Sequence, residues 1–319
     1  MVIFSHYLIL QRVSCPVKLD HLTWAYFSNN WWFVDRNGKL KPEIKFPRDH
    51  INTIWNLNTE NRIVPFVRLM ARSNWKHDKE DPVYKLQRII DGQFDGQLEQ
   101  WAVEARDSRI PLIIEFGTEV NNAYHSWSGK HHGGGRTSRY GNRDLPDGPE
   151  RFRDAYRHII NIFRGKQAKD ITWVLHVDAR PDPDDEWNKV KYYYPGDDYI
   201  DWIGISAYGQ QKSDEQFMTF EQLINNIYPQ IQEASAIRPL AILEFGIRER
   251  ADKAKWIGDA LDVVKSPKFP RIKAISYWNA NHQDKKEKVE LRIDSSTQAL
   301  DTYKNKIKDS FFLGTASLG

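Results

Sequence analysis

Short apolar runs alternate along this chain with longer stretches whose apolar residues recur at helical spacing. Eight runs read as strands: residues 2–10, 21–27, 62–69, 112–116, 171–177, 199–208, 240–245 and 272–278. A continuous apolar run bounded by turn residues predicts a strand buried on both faces. Leu98, Trp101, Ala102 and Ala105 form a helical stripe ahead of the fourth run. Phe152, Ala155, Tyr156, Ile159, Ile160 and Phe163 form another behind Pro149, a residue suited to a first helical turn. Similar stripes precede the seventh run (Phe220, Leu223, Ile224, Ile227, Ile231) and the eighth (Ala254, Ile257, Leu261, Val264).

Strand alternating with helix means βαβ units and a parallel sheet. Eight such units in 319 residues predict an α/β fold of the (β/α)8 TIM barrel type, which takes about 250 residues plus insertions. A doubly wound open sheet is the alternative. No Gly-x-Gly-x-x-Gly follows an early strand, which argues against its dinucleotide-binding form. No linker, repeat or low-complexity tract divides the chain. Residues 1–319 therefore read as one catalytic barrel domain, with 1–20 and 306–319 as terminal extensions. The long polar stretch 128–149, with Gly133, Gly134 and Gly135, falls after the fourth strand, where a barrel builds its active-site loops. It is expected to be a lid or a mobile insertion.

Two of the strands carry the chemistry. Pro111-Leu112-Ile113-Ile114-Glu115-Phe116-Gly117-Thr118-Glu119 and Pro239-Leu240-Ala241-Ile242-Leu243-Glu244-Phe245-Gly246 are each an apolar run entered by proline and closed by glycine, with a carboxylate at the C-terminal end. The fourth and seventh strands of a barrel face each other across its mouth. Glu119 and Glu244 can then converge as the acid and nucleophile of a retaining glycosidase. Two surface glutamates in salt bridges are the alternative. Glu115, in the fourth run, reads as structural support, and Arg68 is its candidate partner, since a buried carboxylate needs one. Tyr208 ends the sixth run, where its hydroxyl can hydrogen-bond Glu244. Trp127 and Trp278 sit where a sugar platform would be useful, and core packing is the alternative for each.

Composition changes the picture in a few places. The net charge of +3 is small and the basic residues are interleaved with acids, so nucleic acid is not an expected partner. No apolar run approaches a membrane span. The 12 tryptophans suit either sugar stacking or a Trp-rich core. A single cysteine, Cys15, excludes an internal disulfide framework. Residues 1–10 are apolar but have no basic start or small-residue cleavage site, so they do not read as a signal peptide. His125, His131 and His132 lack a zinc-ligand spacing. Asp182, Asp184 and Asp185 read as an acidic turn rather than a calcium site. Neither a metal nor a cofactor is expected. Gly204-Ile205-Ser206-Ala207-Tyr208 lacks the second glycine of an esterase elbow.

These segments resemble glycoside hydrolase family 26, a clan A family best known for β-mannanases. The likeness covers roughly residues 85–305 and rests on Gly117 through Trp127, Arg157 through Val174, Tyr193 through Gly204, Pro239 through Gly246, and Lys273 through Trp278. It implies a retaining, endo-acting β-glycoside hydrolase, with Glu119 as acid/base and Glu244 as nucleophile. It implies Tyr208 as the nucleophile's support, and Asn121, Trp127, His176 and Trp278 around the sugar. β-Mannan is the first substrate it implies, then xylan or mixed-linkage glucan. A secreted monomer acting on a polysaccharide or oligosaccharide is expected. The chain departs from the family's pattern at Thr118, usually His, at Glu115, usually Arg, and at Leu175, usually Trp. A non-catalytic carbohydrate-binding barrel is therefore the alternative function.

Overall fold

The computed structural model describes residues 8–10, 23–57, 63–74, 78–283 and 287–312. Its main sheet contains β1 (Leu8–Leu10), β2 (Thr23–Asn30), β3 (Ile63–Met70), β4 (Leu112–Phe116), β5 (Ile171–Asp178), β6 (Trp202–Tyr208), β7 (Leu240–Gly246) and β8 (Ile272–Tyr277). From β2 to β8, each strand pairs in parallel with the next. β1 pairs with β8 and also comes alongside β2, so the sheet curls into a barrel.

The first strand corrects an expectation. Of residues 2–10, only Leu8–Leu10 lie among the described residues, and they run antiparallel to β8. An apolar run has the same pattern in either direction. Strand polarity is set by where the chain enters the seam, which alternation does not record. The segment 1–20, expected as an extension, thus supplies a strand to the sheet.

The helices are α1 (Arg48–Asn56), α2 (Leu86–Ile90), α3 (Asp95–Ser108), α4 (Asp147–Gly165), α5 (Val190–Tyr193), α6 (Phe220–Ala234), α7 (Lys253–Lys265) and α8 (Thr297–Lys306). The stripes read from the sequence on α3, α4, α6 and α7 are buried. α6 begins with a capping box: Thr219 accepts from the Gln222 backbone and Gln222 accepts from the Thr219 backbone. Two antiparallel hairpins not anticipated from the sequence follow β2 (Trp32–Val34 with Leu40–Pro42) and β8 (Asn281–Gln283 with Lys288–Glu290). Their strands are three residues long, too short for alternation to reveal.

Side chains alternate across each strand, giving two cores. Ile114, Phe116, Leu175, Val177, Ile203, Ile205, Ile242 and Phe245 face the helices. Trp24, Val64, Phe66, Ile113, Val174, Ala241, Leu243 and Ala274 fill the barrel. Trp24, Trp31, Trp101, Trp127, Trp173 and Trp256 are all buried, so much of the tryptophan content serves packing.

One break in the alternation positions the site. Along β7, Ala241 and Leu243 point inward, so strict alternation would turn Glu244 toward the helices. The register slips here: Ile205 pairs with Ile242, but Ser206 pairs with Glu244. The additional residue is a β-bulge, which re-aims a side chain. Leu243 and Glu244 both face the interior, and Phe245 returns to the outer layer. Gly204 makes room for Leu243, since a Cβ there would stand 2.3 Å from Leu243 Cδ1.

Candidate active site

Charged and hydrogen-bonding side chains gather inside the barrel at the C-terminal ends of the strands, above the apolar filling. Arg68 of β3 and Glu115 of β4 are register partners. Arg68 Nε lies 3.2 Å from Glu115 Oε1, and Arg68 Nη1 lies 2.5 Å from Glu244 Oε1. The expected Arg68–Glu115 pair is therefore present, and the same guanidinium also reaches Glu244. Where the family resemblance leads one to expect an arginine on the fourth strand, this chain has Glu115, and the cation comes from the neighbouring strand. The guanidinium lies over the Tyr26 ring, 4.0 Å from its centroid. Trp278 stacks on Tyr26 at 5.8 Å and is only partly buried, which leaves indole surface at the site.

Glu244 receives a second anchor. The Tyr208 hydroxyl donates to Glu244 Oε2 at 2.5 Å, the contact expected from the sequence. Burial pushes the Glu244 carboxyl up, but Arg68, His176 and the Tyr208 bond outweigh it, and the pKa falls below the ordinary carboxylate value. Burial and the Glu244 charge push the Tyr208 phenol well up, so it remains a donor.

Glu119 has the opposite environment. It follows Gly117, whose φ of +67° starts the turn out of β4, and its own φ is +48°. A left-handed backbone is uncommon for a residue with a side chain and clusters at functional sites. Its carboxyl is pushed up to about 7 by burial and then by the Glu244 charge, against the opposing effects of His176, Ser206 and Arg68. His125 Nε2 lies 3.1 Å from Glu119 Oε2. Asp178, at the end of β5, accepts from Asn122 Nδ2 at 2.7 Å and from the Arg180 N–H at 2.9 Å. Burial and the Glu119 charge push Asp178 up to about 8, which makes it a third carboxyl in the same electrostatic field.

Three residues expected to touch sugar are placed otherwise. His176 is fully buried beneath the site, 2.9 Å from Glu115 Oε2 through Nδ1 and 2.9 Å from Ser206 Oγ through Nε2. Burial opposes its protonation, but the Glu115 carboxylate overrides burial and raises its pKa. Thr118 Oγ1 lies 2.9 Å from the same Nδ1. Asn121 is also fully buried: its amide donates to the Asp178 carbonyl at 2.8 Å and accepts from the Asp178 N–H at 2.7 Å. It joins the β4 loop to β5 and is not free to bind a ligand. Trp127 is 1% exposed, donates to the Thr118 carbonyl at 2.8 Å and packs where a Gly117 Cβ would be. It is a support for the turn, not a sugar platform. Asn121 and Trp127 lie in a loop, where side-chain direction has no sequence period, whereas His176 is on β5, where alternation turns it into the barrel on the same face as Val174.

Ser206, His176 and Glu115 have the connectivity of a nucleophilic triad. Ser206 is fully buried, so no carbonyl substrate can reach its oxygen. His131 Nε2 and His132 Nε2 donate to the Ala123 and Ser126 carbonyls at 2.8 and 2.9 Å. These bonds, together with Arg151 donating to the His132 carbonyl, fasten the 128–149 stretch to the body of the barrel. It is not the free lid expected. Sequence reasoning missed the Arg68–Glu244 contact and the role of His125 beside Glu119. The only signal for His125 was its place six residues downstream in the same loop.

Residues 78–256, more than half of the chain, match glycosyl hydrolase family 26. Endoglucanase H of Acetivibrio thermocellus is 32% identical over 164 residues, which is 50% of this chain. The chain spans 17% of that relative's length. The modular endo-β-1,4-mannanase of Cellulomonas fimi superposes with a TM-score of 0.58 at 17% identity, over 90% of this chain and 63% of its own. The catalytic domain of the Bacillus sp. JAMB-750 endo-β-1,4-mannanase gives 0.57 at 15% identity, over 78% and 66%. At these identities the structural likeness establishes the barrel fold. The sequence match makes this chain a member of glycosyl hydrolase family 26, a family of retaining O-glycosyl hydrolases that act on polysaccharides.

Proposed function

We propose that the protein is an endo-acting retaining hydrolase of a β-glucan, with Glu119 as acid/base and Glu244 as nucleophile. The observation that carries the roles is the split between the two carboxyls. Glu119 holds its proton to about 7, while Arg68 and Tyr208 keep Glu244 ionised. Environments that push two carboxyl pKa values apart assign the acid and the nucleophile.

In the first step Glu119 protonates the glycosidic oxygen and Glu244 attacks the anomeric carbon, forming a glycosyl-enzyme. Glu119, now ionised, takes a proton from water as that water displaces Glu244. The anchors on both Glu244 oxygens hold it for in-line attack and stabilise it as a leaving group. Trp278, stacked on Tyr26 beside Arg68, supplies an apolar face for the sugar.

Glucan is placed ahead of mannan because the relative that is 32% identical over 164 residues is an endoglucanase, whereas the mannanases share 15–17% of residues and speak to fold. Thr118 and Glu115, which depart from the β-mannanase-like pattern, are buried against His176 beneath the two carboxyls. The test is a panel of mixed-linkage glucan, other β-glucans, mannan, galactomannan and xylan, with released reducing ends followed for wild type, Glu119→Ala and Glu244→Ala. Activity on glucan that vanishes in Glu244→Ala supports the reading. Activity confined to mannan or xylan overturns the substrate, and turnover retained in Glu244→Ala overturns the roles.

A further inference from the structure

The loop after β4 folds back on its own beginning. Trp127 covers Gly117 and bonds the Thr118 carbonyl. The His125 ring lies flat on Trp127, with centroids 4.9 Å apart and planes 9° apart. Tyr124 packs against the same ring in a T-shaped pair, with centroids 5.3 Å apart. Held in this way, His125 directs Nε2 at Glu119 Oε2, 3.1 Å away. We propose that His125 is a positioning residue for Glu119, a neutral donor that occupies Oε2 and so assigns the acid's proton to the other oxygen.

The proposal rests on Glu119 being the acid/base. Its chemistry follows from what an imidazole can offer a carboxyl. An ionised carboxylate only accepts, so the nitrogen facing it carries the hydrogen. That bond persists when Glu119 is protonated only if the proton resides on the oxygen His125 leaves free. A charged imidazolium would instead hold Glu119 ionised and remove the acid. His125 avoids this: burial, followed by the nearby Arg72 charge, holds its pKa down to about 3. Glu119 and Tyr124 face the imidazole, and the charges of Arg72, Arg68, His176 and Glu244 act on it. Glu119 itself also feels Glu244, His176, Ser206, Arg68 and Asp178.

His125→Phe retains a ring against Trp127 and removes the donor. Its kcat/KM on polysaccharide should fall ~10–100-fold, because acid catalysis of a poor leaving group depends on a correctly held proton. On a dinitrophenyl glycoside, whose leaving group needs no protonation, it should change less than about threefold. The alkaline limb of the pH profile should move up, because losing a donor to the anion raises the Glu119 pKa. His125→Gln, which can bring an amide N–H near the Nε2 position, should recover much of the loss. His125→Met tests the same points should the Phe ring not fit. Equal loss on both substrates with an unmoved alkaline limb, or no loss, would overturn the proposal. Glu119→Ala in parallel, on the same two substrates with and without azide, tests the reading beneath it. If Glu119→Ala keeps aryl-glycoside cleavage and azide restores turnover while His125→Phe shows no leaving-group dependence, only the His125 role falls. If Glu119→Ala fails that test, both fall.

Discussion

Arg68 Nη1 stands 2.5 Å from Glu244 Oε1, while its Nε faces Glu115 at 3.2 Å. One guanidinium thus neutralises two buried carboxylates on strands that are not sheet neighbours. Burial lowers the Arg68 pKa, but the two glutamates outweigh it and hold the residue charged. Arg68→Met should cost about 3–5 kcal/mol, the range for breaking a buried ion pair by removing one partner. Arg68→Lys should lose less stability, because it keeps a charge but not the planar fork that faces both acids. Urea denaturation of the three proteins checks this. Equal midpoints would show that the pair adds nothing net.

Tyr208→Phe removes the other anchor of Glu244. Hydrogen bonds to charged groups contribute about 1.5–3 kcal/mol, which corresponds to roughly a 10–100-fold fall in kcat. The direction of the pH effect follows from the lost donor. Ionised Glu244 loses stabilisation, its pKa rises, and the acid limb of kcat/KM moves to higher pH. A variant with wild-type kcat and an unmoved acid limb would argue against the contact.

Glu119 links activity and stability to pH in opposite senses to Glu244. Its folded pKa of about 7 lies above the ordinary carboxyl value of 4.5. The folded protein therefore binds more protons than the unfolded chain between these values, and stability falls as pH rises through that window. Glu119→Gln should gain on wild type from pH 5 to pH 8, by on the order of a few kcal/mol. Asp178, pushed up to about 8, titrates with it, so the measured steps belong to the pair. Thermal unfolding at both pH values gives the readout, and a pH-independent gap would refute the shift. The alkaline limb of kcat/KM should fall near pH 7 for the same reason.

Gly204→Ala tests the packing that supports the β7 bulge. The new Cβ would lie 2.3 Å from Leu243 Cδ1, 2.9 Å from Leu243 Cγ and 3.3 Å from Val174 Cγ1. Overpacking of this kind costs typically about 1–3 kcal/mol. Because Leu243 adjoins Glu244, kcat should fall together with the melting temperature. Unchanged stability would mean that Leu243 has a second place to go.

Much of the architecture was legible along the chain because burial leaves a period. The runs at 112–116, 171–177 and 240–245 match β4, β5 and β7 within a residue or two, and the stripes of α4 and α6 are buried as read. Both glutamates and Tyr208 were placed at strand ends by the same logic. Polarity left no such trace: β1 runs antiparallel, and Asn121, Trp127 and His176 turn into the structure. The sequence by itself determined the alternation of strand and helix and the two carboxylate-bearing strand ends, because side-chain periodicity and turn residues are local properties. Only the tertiary structure decided that a register slip turns Glu244 inward, that Arg68 reaches across to meet it, and that His125 folds back to Glu119. Each of these depends on how separate segments meet once packed, and no periodicity within one segment encodes it.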